Sequence, residues 1–393
     1  MFGGLFEIVF ANFGFWFNFV LPIASAAYLA MTHKEYIWKE FGIQAGATFV
    51  FVVLVYSLLF STTTDLIDNE YWSAKVSKFE YYEEWNEEVT YTESYSCGTS
   101  KSPKTCTRTK TRIDYHSPYY QITTTNGEKV SITRNEYRTA SGQFGHKEVD
   151  IYRSNQVSFG DGDKYVSTPD ITIPTSVSHT YENLVKAVKS NVIHTKVPQA
   201  DIDQALKVGT LKDYPTRYKD KYGAPKLNRF IDVTGKVNKD YINPLNDMSI
   251  SIGQIKQGNP IIYVVNEPRS FKDVISQHWN KGKKNDITLV IGIDDSGLII
   301  WSDVITYTNN TDFIVDMQND FVDLNINKDS DKVLATYKKH IQTQYVRKPM
   351  KEFAYLKDNI TLAWYWQVII FLLNAALTTF ITWKFLNNYD RKR

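Results

Sequence analysis

Long apolar runs lie at the two ends of the chain, whereas the middle alternates between polar and apolar positions. Residues 8–31 and 41–64 contain no charged side chain, and residues 360–385 contain only Lys384. About 20 apolar residues cross the hydrocarbon core of a bilayer. The sequence therefore predicts three membrane spans, the first two forming a helical hairpin within residues 1–64. For the polar-interrupted first run, an amphipathic helix lying at the membrane surface is the alternative.

Residue types at the ends of these runs predict how the spans are placed. Trp364, Trp366 and Trp383 lie near the ends of the third run, and tryptophan favours the headgroup level of a membrane. Gly42 and Gly46 leave room on the second run for a close helix partner. Two such glycines also occur by chance, so the sequence leaves specific packing there as one of two interpretations.

Basic residues flanking the spans predict their orientation. Lys34 and Lys39 lie in the first link, and Arg391–Arg393 close the chain. Because short cytoplasmic segments are enriched in Lys and Arg, both are expected in the cytoplasm. Residues 65–359 are then extracytoplasmic, as in a periplasmic domain, and the C-terminus of the segment 350–393 is cytoplasmic.

The two cysteines agree with that orientation. Cys97 and Cys106 enclose a polar loop containing Gly98 and Pro103, residues typical of turns. A disulfide here would stabilise the fold by somewhat under about 3 kcal/mol and would require an oxidising compartment. Two free thiols, or a zinc site sharing His116, are the alternatives.

The polar middle of the chain divides into three parts. Residues 65–180 are rich in Tyr, Thr, Val and Ile with frequent turn residues, which predicts a β-rich module. Residues 181–229 predict a short helix followed by an irregular connector. Residues 230–349 alternate between helical and strand patterns, which predicts a small α/β module. The expected fold class is therefore membrane-anchored α+β.

The α/β part has an order of elements that resembles a known family. An opening strand at Phe230–Gly235 precedes a buried strand at 261–265, a helix ending at His278-Trp279-Asn280, and a basic turn, Lys281–Lys284. A strand then leads into the turn Asp294–Gly297. This order resembles the TPM domain of membrane-anchored extracytoplasmic proteins.

The resemblance implies a domain that faces the periplasm or a lumen. Phosphatase activity, divalent-cation binding and the assembly or repair of membrane complexes are attached to that family. The acidic positions that match are Asp232, Asp286, Asp294 and Asp295.

Apart from the zinc alternative at the cysteines, the residues themselves indicate carboxylates as candidate metal ligands. Asp294 and Asp295, with Asp286 at the start of the preceding strand, would supply oxygen ligands suited to Ca²⁺ or Mg²⁺. Asp, Ser and Gly are equally what a hairpin turn requires. The basic turn Lys281–Lys284 is interpreted as a solvated loop, or as a contact to phosphate or anionic headgroups.

Composition and the absence of known catalytic motifs bear on which classes of function are expected. The net charge is +2 with an isoelectric point near 8.2, so no nucleic-acid partner is expected. The chain contains no phosphate-binding loop, nucleophile elbow or zinc-protease helix, which favours a non-enzymatic role.

The sequence therefore predicts a scaffold, assembly factor or structural component of a membrane-associated complex or particle. Its expected partners are the lipid bilayer and other membrane or extracytoplasmic proteins, with oligomers allowed. The alternative is a membrane-anchored hydrolase of the TPM type, a metal-dependent phosphatase.

Overall fold

The structure, a computed structural model, describes residues 2–32, 38–99, 102–157, 163–188 and 197–390. It is a mixed α+β fold with three candidate membrane-spanning helices and several sheets. Lys34 and Arg391–Arg393, on which the predicted orientation depends, lie outside the described residues.

Helices form both ends of the chain and cover the sheet of the C-terminal half. In the described residues they are α1 (Phe2–Ala11), α2 (Phe13–Phe17), α3 (Val20–Thr32), α4 (Trp38–Thr63), α5 (Arg134–Phe144), α6 (Leu184–Ala187), α7 (Gln199–Val208), α8 (Ile242–Lys256), α9 (Phe271–His278), α10 (Thr311–Asn319), α11 (Ser330–Gln344) and α12 (Trp364–Asp390). A 3₁₀ helix, Met350–Asn359, precedes α12.

Strands fill the region between the membrane helices. Those described are β1 (Ile67–Tyr82), β2 (Trp85–Ser96), β3 (Thr105–His116), β4 (Tyr119–Thr124), β5 (Lys129–Ser131), β6 (Lys147–Val149), β7 (Gln156–Val157), β8 (Lys164–Ser167), β9 (Pro174–Glu182), β10 (Arg217–Lys219), β11 (Pro225–Leu227), β12 (Phe230–Asp232), β13 (Asn259–Val265), β14 (Asp286–Ile293) and β15 (Ile299–Thr306).

Three helical stretches are long and apolar enough to cross a membrane: Phe13–Thr32, Trp38–Thr63 and Trp364–Asn387. The helix of the first candidate span begins at Phe13, five residues after the predicted start of the span at residue 8, because residues 8–11 belong to α1. Asn12 separates the two helices by accepting a hydrogen bond from the Gly14 N–H at 3.0 Å.

The helix of the third candidate span begins four residues after the predicted start of the span at residue 360. The 3₁₀ helix ends at Asn359, and α12 begins only at Trp364. The second span begins three residues before its predicted start, because Trp38, Lys39 and Glu40 continue the helical backbone.

The three spans are joined by side-chain hydrogen bonds. Asn374 of α12 accepts a bond from the Thr48 hydroxyl at 3.2 Å and donates one to the Asn18 carbonyl at 3.0 Å. Gln44 of α4 donates to Ser25 at 2.9 Å and to Thr382 at 3.0 Å. Polar bonds between helices hold spans together in lipid, where apolar burial supplies little driving force.

Gly42 and Gly46 lie away from this polar core. Both are exposed, and no atom of the described residues lies within 4 Å of a Cβ placed at either position. The buried face of α4 carries Gln44 and Thr48 instead. The predicted close packing at the two glycines is therefore not made within the described part of this chain.

The β-rich module is built on one long strand, β1. Its first half, Ile67–Lys75, pairs antiparallel with β9, and its second half pairs with β4 and β8. Helix α5, which the sequence analysis did not predict, covers this sheet and begins at a capping box formed by Thr133 and Glu136. β9 also carries the module two residues past its predicted boundary at 180, because the pairing with β1 continues to Glu182.

A hairpin of β2 and β3 projects from the β-rich module, and we call it the arm. Each strand has twelve residues, or about 40 Å of extended chain. The predicted disulfide between Cys97 and Cys106 is present at its tip. No strand among the described residues pairs with the outer edge of β3.

The α/β module has a four-stranded sheet in the order β12-β13-β14-β15, with the first three strands parallel. The predicted strands at 261–265 and 286–293 are confirmed, and β14 is buried along its whole length. Helices α8, α10 and α11 pack on one face of the sheet, and α7 and α9 on the other. The region predicted as an irregular connector contains α7, β10 and β11.

The polar core of the spans generates a stability prediction. We expect Asn374→Ala to lower the free energy of unfolding by about 1–2 kcal/mol, because its interhelical bonds to Thr48 and Asn18 are removed. The thermal midpoint in mild detergent, followed by tryptophan fluorescence, should fall. Leu372→Ala, at a position 62% exposed on the same helix, should change it little. Equal midpoints for the two variants would contradict this role for Asn374.

Candidate functional site

A group of buried and half-buried charged and polar side chains lies where the two modules meet, around the part of β1 that follows α4. We call this group the junction. Its members come from β1, β9, α8, the strand ends of the α/β sheet and the segment before α12: Asp68, Glu70, Ser73, Ser176, Arg229, Asn246, Asn259, Lys283, Lys284, Asp286 and Arg347.

Arg229 lies at the centre of the junction and is 1% exposed. One terminal nitrogen donates to the Ser73 and Ser176 hydroxyls of the β-rich module at 2.6 and 2.7 Å. The other two nitrogens donate to Asn246 at 3.0 Å and Asn259 at 3.1 Å in the α/β module. Burial lowers the pKa of Arg229 to about 10, so the guanidinium remains charged at neutral pH.

The close approach that encloses Arg229 depends on a glycine. Gly253 of α8 packs directly on the backbone of β1, and a Cβ placed there would lie 2.5 Å from the Ser73 carbonyl oxygen. Because no side chain separates α8 from β1 at this point, the serine hydroxyls of β1 and β9 come within reach of the guanidinium.

Asp286 is the negative counterpart of Arg229, and Asn259 connects the two. Asn259 accepts from Arg229 and donates to the Asp286 carboxylate at 2.8 Å. The carboxylate also accepts from the Tyr214 hydroxyl at 3.0 Å and the Lys283 N–H at 2.7 Å. Asp286 is fully buried, and this burial raises its pKa to about 6.

The basic turn before β14 contacts β1, so its interpretation as a solvated loop is wrong. Lys283 pairs with Asp68 at 2.5 Å, and Lys284 pairs with Glu70 at 3.3 Å. Asn280, Lys281 and Gly282 have positive φ angles, a backbone conformation that turns the chain tightly after α9. This turn aims both lysines at the carboxylates of the strand that follows the second span.

Arg347 brings the segment before the third span to the same strand. Its guanidinium donates twice to the Glu70 carboxylate, at 2.6 and 2.8 Å, and once to Gln257 at 2.7 Å. Both bonds to Glu70 come from one terminal nitrogen of Arg347. Glu70 is 2% exposed, and hydrogen bonds between two charged groups are stronger than those between neutral groups. The chain leaving α4 and the chain approaching α12 are therefore tied together above the spans.

The structure separates the carboxylates that were predicted to bind a metal. Asp286 begins β14 and Asp294 follows its end, about 25 Å apart along an extended strand. The Asp294 carboxylate accepts bonds from Ser296 and Leu298 within its own turn, and Asp295 is exposed and pairs with Lys236. The described residues contain no group of three or more potential His, Cys, Asp or Glu ligands.

Asp232, the fourth acidic position named by the resemblance, also bonds locally. Its carboxylate accepts from the Thr234 N–H at 2.8 Å and hydroxyl at 2.6 Å, and from the Val237 N–H at 3.1 Å. These bonds close the turn after β12.

The hydrogen bonds and ion pairs of the junction hold the two modules and the segment before α12 together. Asp286 was singled out from the sequence as a metal ligand, whereas Arg229, Glu70 and Arg347 were not singled out at all. Their partners are distant in sequence, with separations of 156 residues for Arg229 and Ser73 and 277 for Arg347 and Glu70. The Lys-rich turn after α9 is the one feature of the local sequence that points to the junction.

Comparison with known proteins gave no match: no family model, no curated protein and no solved structure matches this chain. The likeness of residues 230–349 to the TPM domain therefore stays a prediction.

The central position of Arg229 generates a second prediction. We expect Arg229→Met to lower the free energy of unfolding by about 3–5 kcal/mol, because it leaves four buried polar side chains without their donor. The measurement is the thermal midpoint and the protease resistance of the full chain in detergent. Arg217→Met, at an exposed arginine, serves as the control. An unchanged midpoint in the Arg229 variant would contradict the central role of this residue.

The raised pKa of Asp286 generates a third prediction, on pH. Its pKa rises from 3.8 in the unfolded chain to about 6 in the fold, so the folded state binds more protons between these values. The contribution of Asp286 to the free energy of unfolding is therefore largest below pH 4. It falls by about 2–3 kcal/mol as the pH rises to 6. Thermal midpoints measured from pH 4 to 7 should show this fall.

Asp286→Asn should flatten the profile in that window. Asp294→Asn is the matched control, because hydrogen bonds within its turn lower the pKa of Asp294, with Ser296 first. The pH dependence that Asp294 contributes lies below the 3.8 of a free carboxyl, so Asp294→Asn should leave the slope between pH 4 and 7 unchanged. A slope that persists between pH 4 and 6 in the Asp286 variant would overturn this assignment.

Proposed function

We propose that the chain is a membrane-anchored, extracytoplasmic scaffold protein that presents its arm to a partner protein with an acidic surface. The observation that carries the proposal is the arm itself, a long exposed hairpin whose β3 edge pairs with no strand in the described residues. Free strand edges and surfaces rich in Tyr and Arg are common features of protein interfaces.

One face of the arm has the composition of a protein-binding surface. Arg108 packs on the ring of Tyr95 at 5.1 Å from guanidinium carbon to ring centroid, and Arg112 on Tyr91 at 5.8 Å. These contacts hold the arginine side chains in place before a partner binds, which reduces the entropy that binding would cost.

The outer part of the arm is basic, and this determines the kind of partner. Between the facing residues Glu88 and Ile113, its described charged side chains are four cations and one carboxylate, namely Lys104, Arg108, Lys110, Arg112 and Glu93. Arg112 also pairs with Asp114, nearer the base of the arm, at 2.9 Å. Glu93 accepts contacts from Arg108 and Lys110, both at 2.7 Å. A second copy of the arm would bring like charges together, so an acidic partner is the better complement.

The membrane anchor and the side of the membrane rest on several observations that agree. Trp364 and Trp383 are exposed on α12 and lie about 28 Å apart along the helix, close to the roughly 30 Å of a hydrocarbon core. The disulfide at the arm tip suits an oxidising compartment, and the basic flanks of the spans suit a cytoplasmic C-terminus.

The junction supports the scaffold role mechanically. Ion pairs at Asp68 and Glu70 bind the base of β1 to the α/β module and to the segment before α12. β1, sixteen residues long in all, then continues to Tyr82, close to the start of the arm. The arm is therefore positioned by a continuous strand whose base is fixed near the membrane spans.

The proposal is tested by cross-linking in spheroplasts that express the full chain. A membrane-impermeant cross-linker that is amine-reactive at one end and photoreactive at the other should join Lys110 of the arm to an acidic partner. The product should fall at least about tenfold in Arg108→Glu with Arg112→Glu, because reversed charges repel the partner. Lys332→Glu with Lys339→Glu, on the exposed side of α11, is the control with the same charge change.

Three results would overturn the proposal. Lack of access of the impermeant reagent to Lys110 would contradict the extracytoplasmic side. Equal cross-linking in the two double variants would contradict the arm as the binding surface. A product of twice the chain mass alone would identify a second copy, instead of an acidic partner, as what the arm binds.

A further inference from the structure

A cavity of about 280 Å³ lies between α5 and the sheet strands β4, β1 and β8, away from both the junction and the outer part of the arm. It is lined by aromatic, hydroxyl and charged side chains: Tyr81, Glu83, Tyr120, Arg134, Tyr137, Arg138, Ser141, His146 and Tyr165.

The floor of the cavity is a row of three tyrosines on adjacent strands. Tyr81 is in register with Tyr120 on one side and Tyr165 on the other. The rings are stacked, with centroids 4.7 and 5.6 Å apart and interplanar angles of 10° and 20°. Because the flat faces of the rings cover one another, the floor offers ring edges and the hydroxyl groups of Tyr81 and Tyr120. The Tyr165 hydroxyl donates to Glu148 at 2.7 Å.

The roof contains a buried hydroxyl group without a partner. Tyr137 of α5 is 6% exposed, and its ring packs on Tyr81 and Tyr120. Its hydroxyl makes no hydrogen bond to any described residue. Burial raises the pKa of Tyr137 to about 12, so the group is a donor at neutral pH. A buried hydroxyl of this kind is costly unless something pairs with it.

Two arginines lie at the mouth of the cavity. Arg134 and Arg138 are one helical turn apart on α5 and exposed, and neither forms an ion pair with a described residue. Guanidinium groups at this spacing lie on the same side of a helix and match carboxylate geometry well. His146 lies edge-on to Tyr165, with ring centroids 5.7 Å apart.

We propose that this cavity binds a small acidic sugar. The sugar carboxylate would pair with Arg134 and Arg138 at the mouth, and the ring hydroxyls would pair with Tyr137 and with the tyrosine floor. Ser141 supplies a further hydroxyl group at the edge of the cavity. The proposal is independent of the arm and of its partner.

Other ligand classes match these groups less well. A flat aromatic base needs an open ring face to stack on, and the stacking of Tyr81 between its neighbours covers that face. An apolar ring would leave the Tyr137 hydroxyl unpaired. An inorganic anion would occupy the arginines and leave the floor without a partner.

The test is a titration of the full-length protein in mild detergent with glucuronate, measured by calorimetry. Glucose and inorganic phosphate are the comparison ligands, since each retains only one half of the proposed chemistry. Glucuronate should bind saturably, and each comparison ligand should bind at least about tenfold more weakly, because each lacks either the charged or the hydroxyl contacts.

Two variants localise the binding to the cavity. Arg134→Gln with Arg138→Gln should weaken glucuronate binding at least about tenfold, and Tyr137→Phe about threefold to tenfold, because charged and neutral hydrogen bonds are lost respectively. Arg217→Gln, at an exposed arginine outside the cavity, should bind like the original chain. Thermal midpoints verify that every variant is folded.

Several results would overturn the proposal. These are the absence of saturable glucuronate binding, equal affinity in the double arginine variant, and phosphate or glucose binding as tightly as glucuronate. An altered arm has no bearing on this titration, so failure here is distinguishable from failure of the scaffold function.

Discussion

The burial of one guanidinium group organises the soluble part of this protein. A charge removed from water must be hydrogen-bonded on all sides, or the fold loses several kcal/mol. Arg229 finds Ser73 and Ser176 in the β-rich module and Asn246 and Asn259 in the α/β module. Because neither module alone supplies enough partners, the favourable state requires both to be docked, and the two modules act as one unit.

The strand β1, which supplies Ser73 to Arg229, makes further contacts on both sides of that residue. Toward the spans, Asp68 and Glu70 of the same strand bind Lys283, Lys284 and Arg347. Away from them, β1 continues to Tyr82 and leads through a short link into the arm. A single strand thus connects the candidate membrane-spanning helices, the junction and the exposed hairpin, which supports the proposed role of the arm as a binding surface held at a set place.

Several elements could be predicted because their signals are local. The three apolar runs became candidate spans, the continuous apolar stretch of β14 became a buried strand, and the cysteine loop is closed by a disulfide. Errors occurred where a single side chain changes the backbone, as at Asn12, which ends one helix and caps the next. Helix α5 had a readable start signal, the capping box of Thr133 and Glu136, but it lies within a strand-like composition.

The sequence by itself determined which segments are apolar enough for a membrane, which strands are buried on both sides and which cysteines pair, since each depends on residues close together in the chain. The tertiary structure decided the junction and the tyrosine cavity. Lys283 and Asp68 are 215 positions apart, and Tyr81, Tyr120 and Tyr165 meet only through strand register. Ionic pairing depends on distances in space, and a lysine in a turn carries no local sign of a carboxylate brought to it from another module.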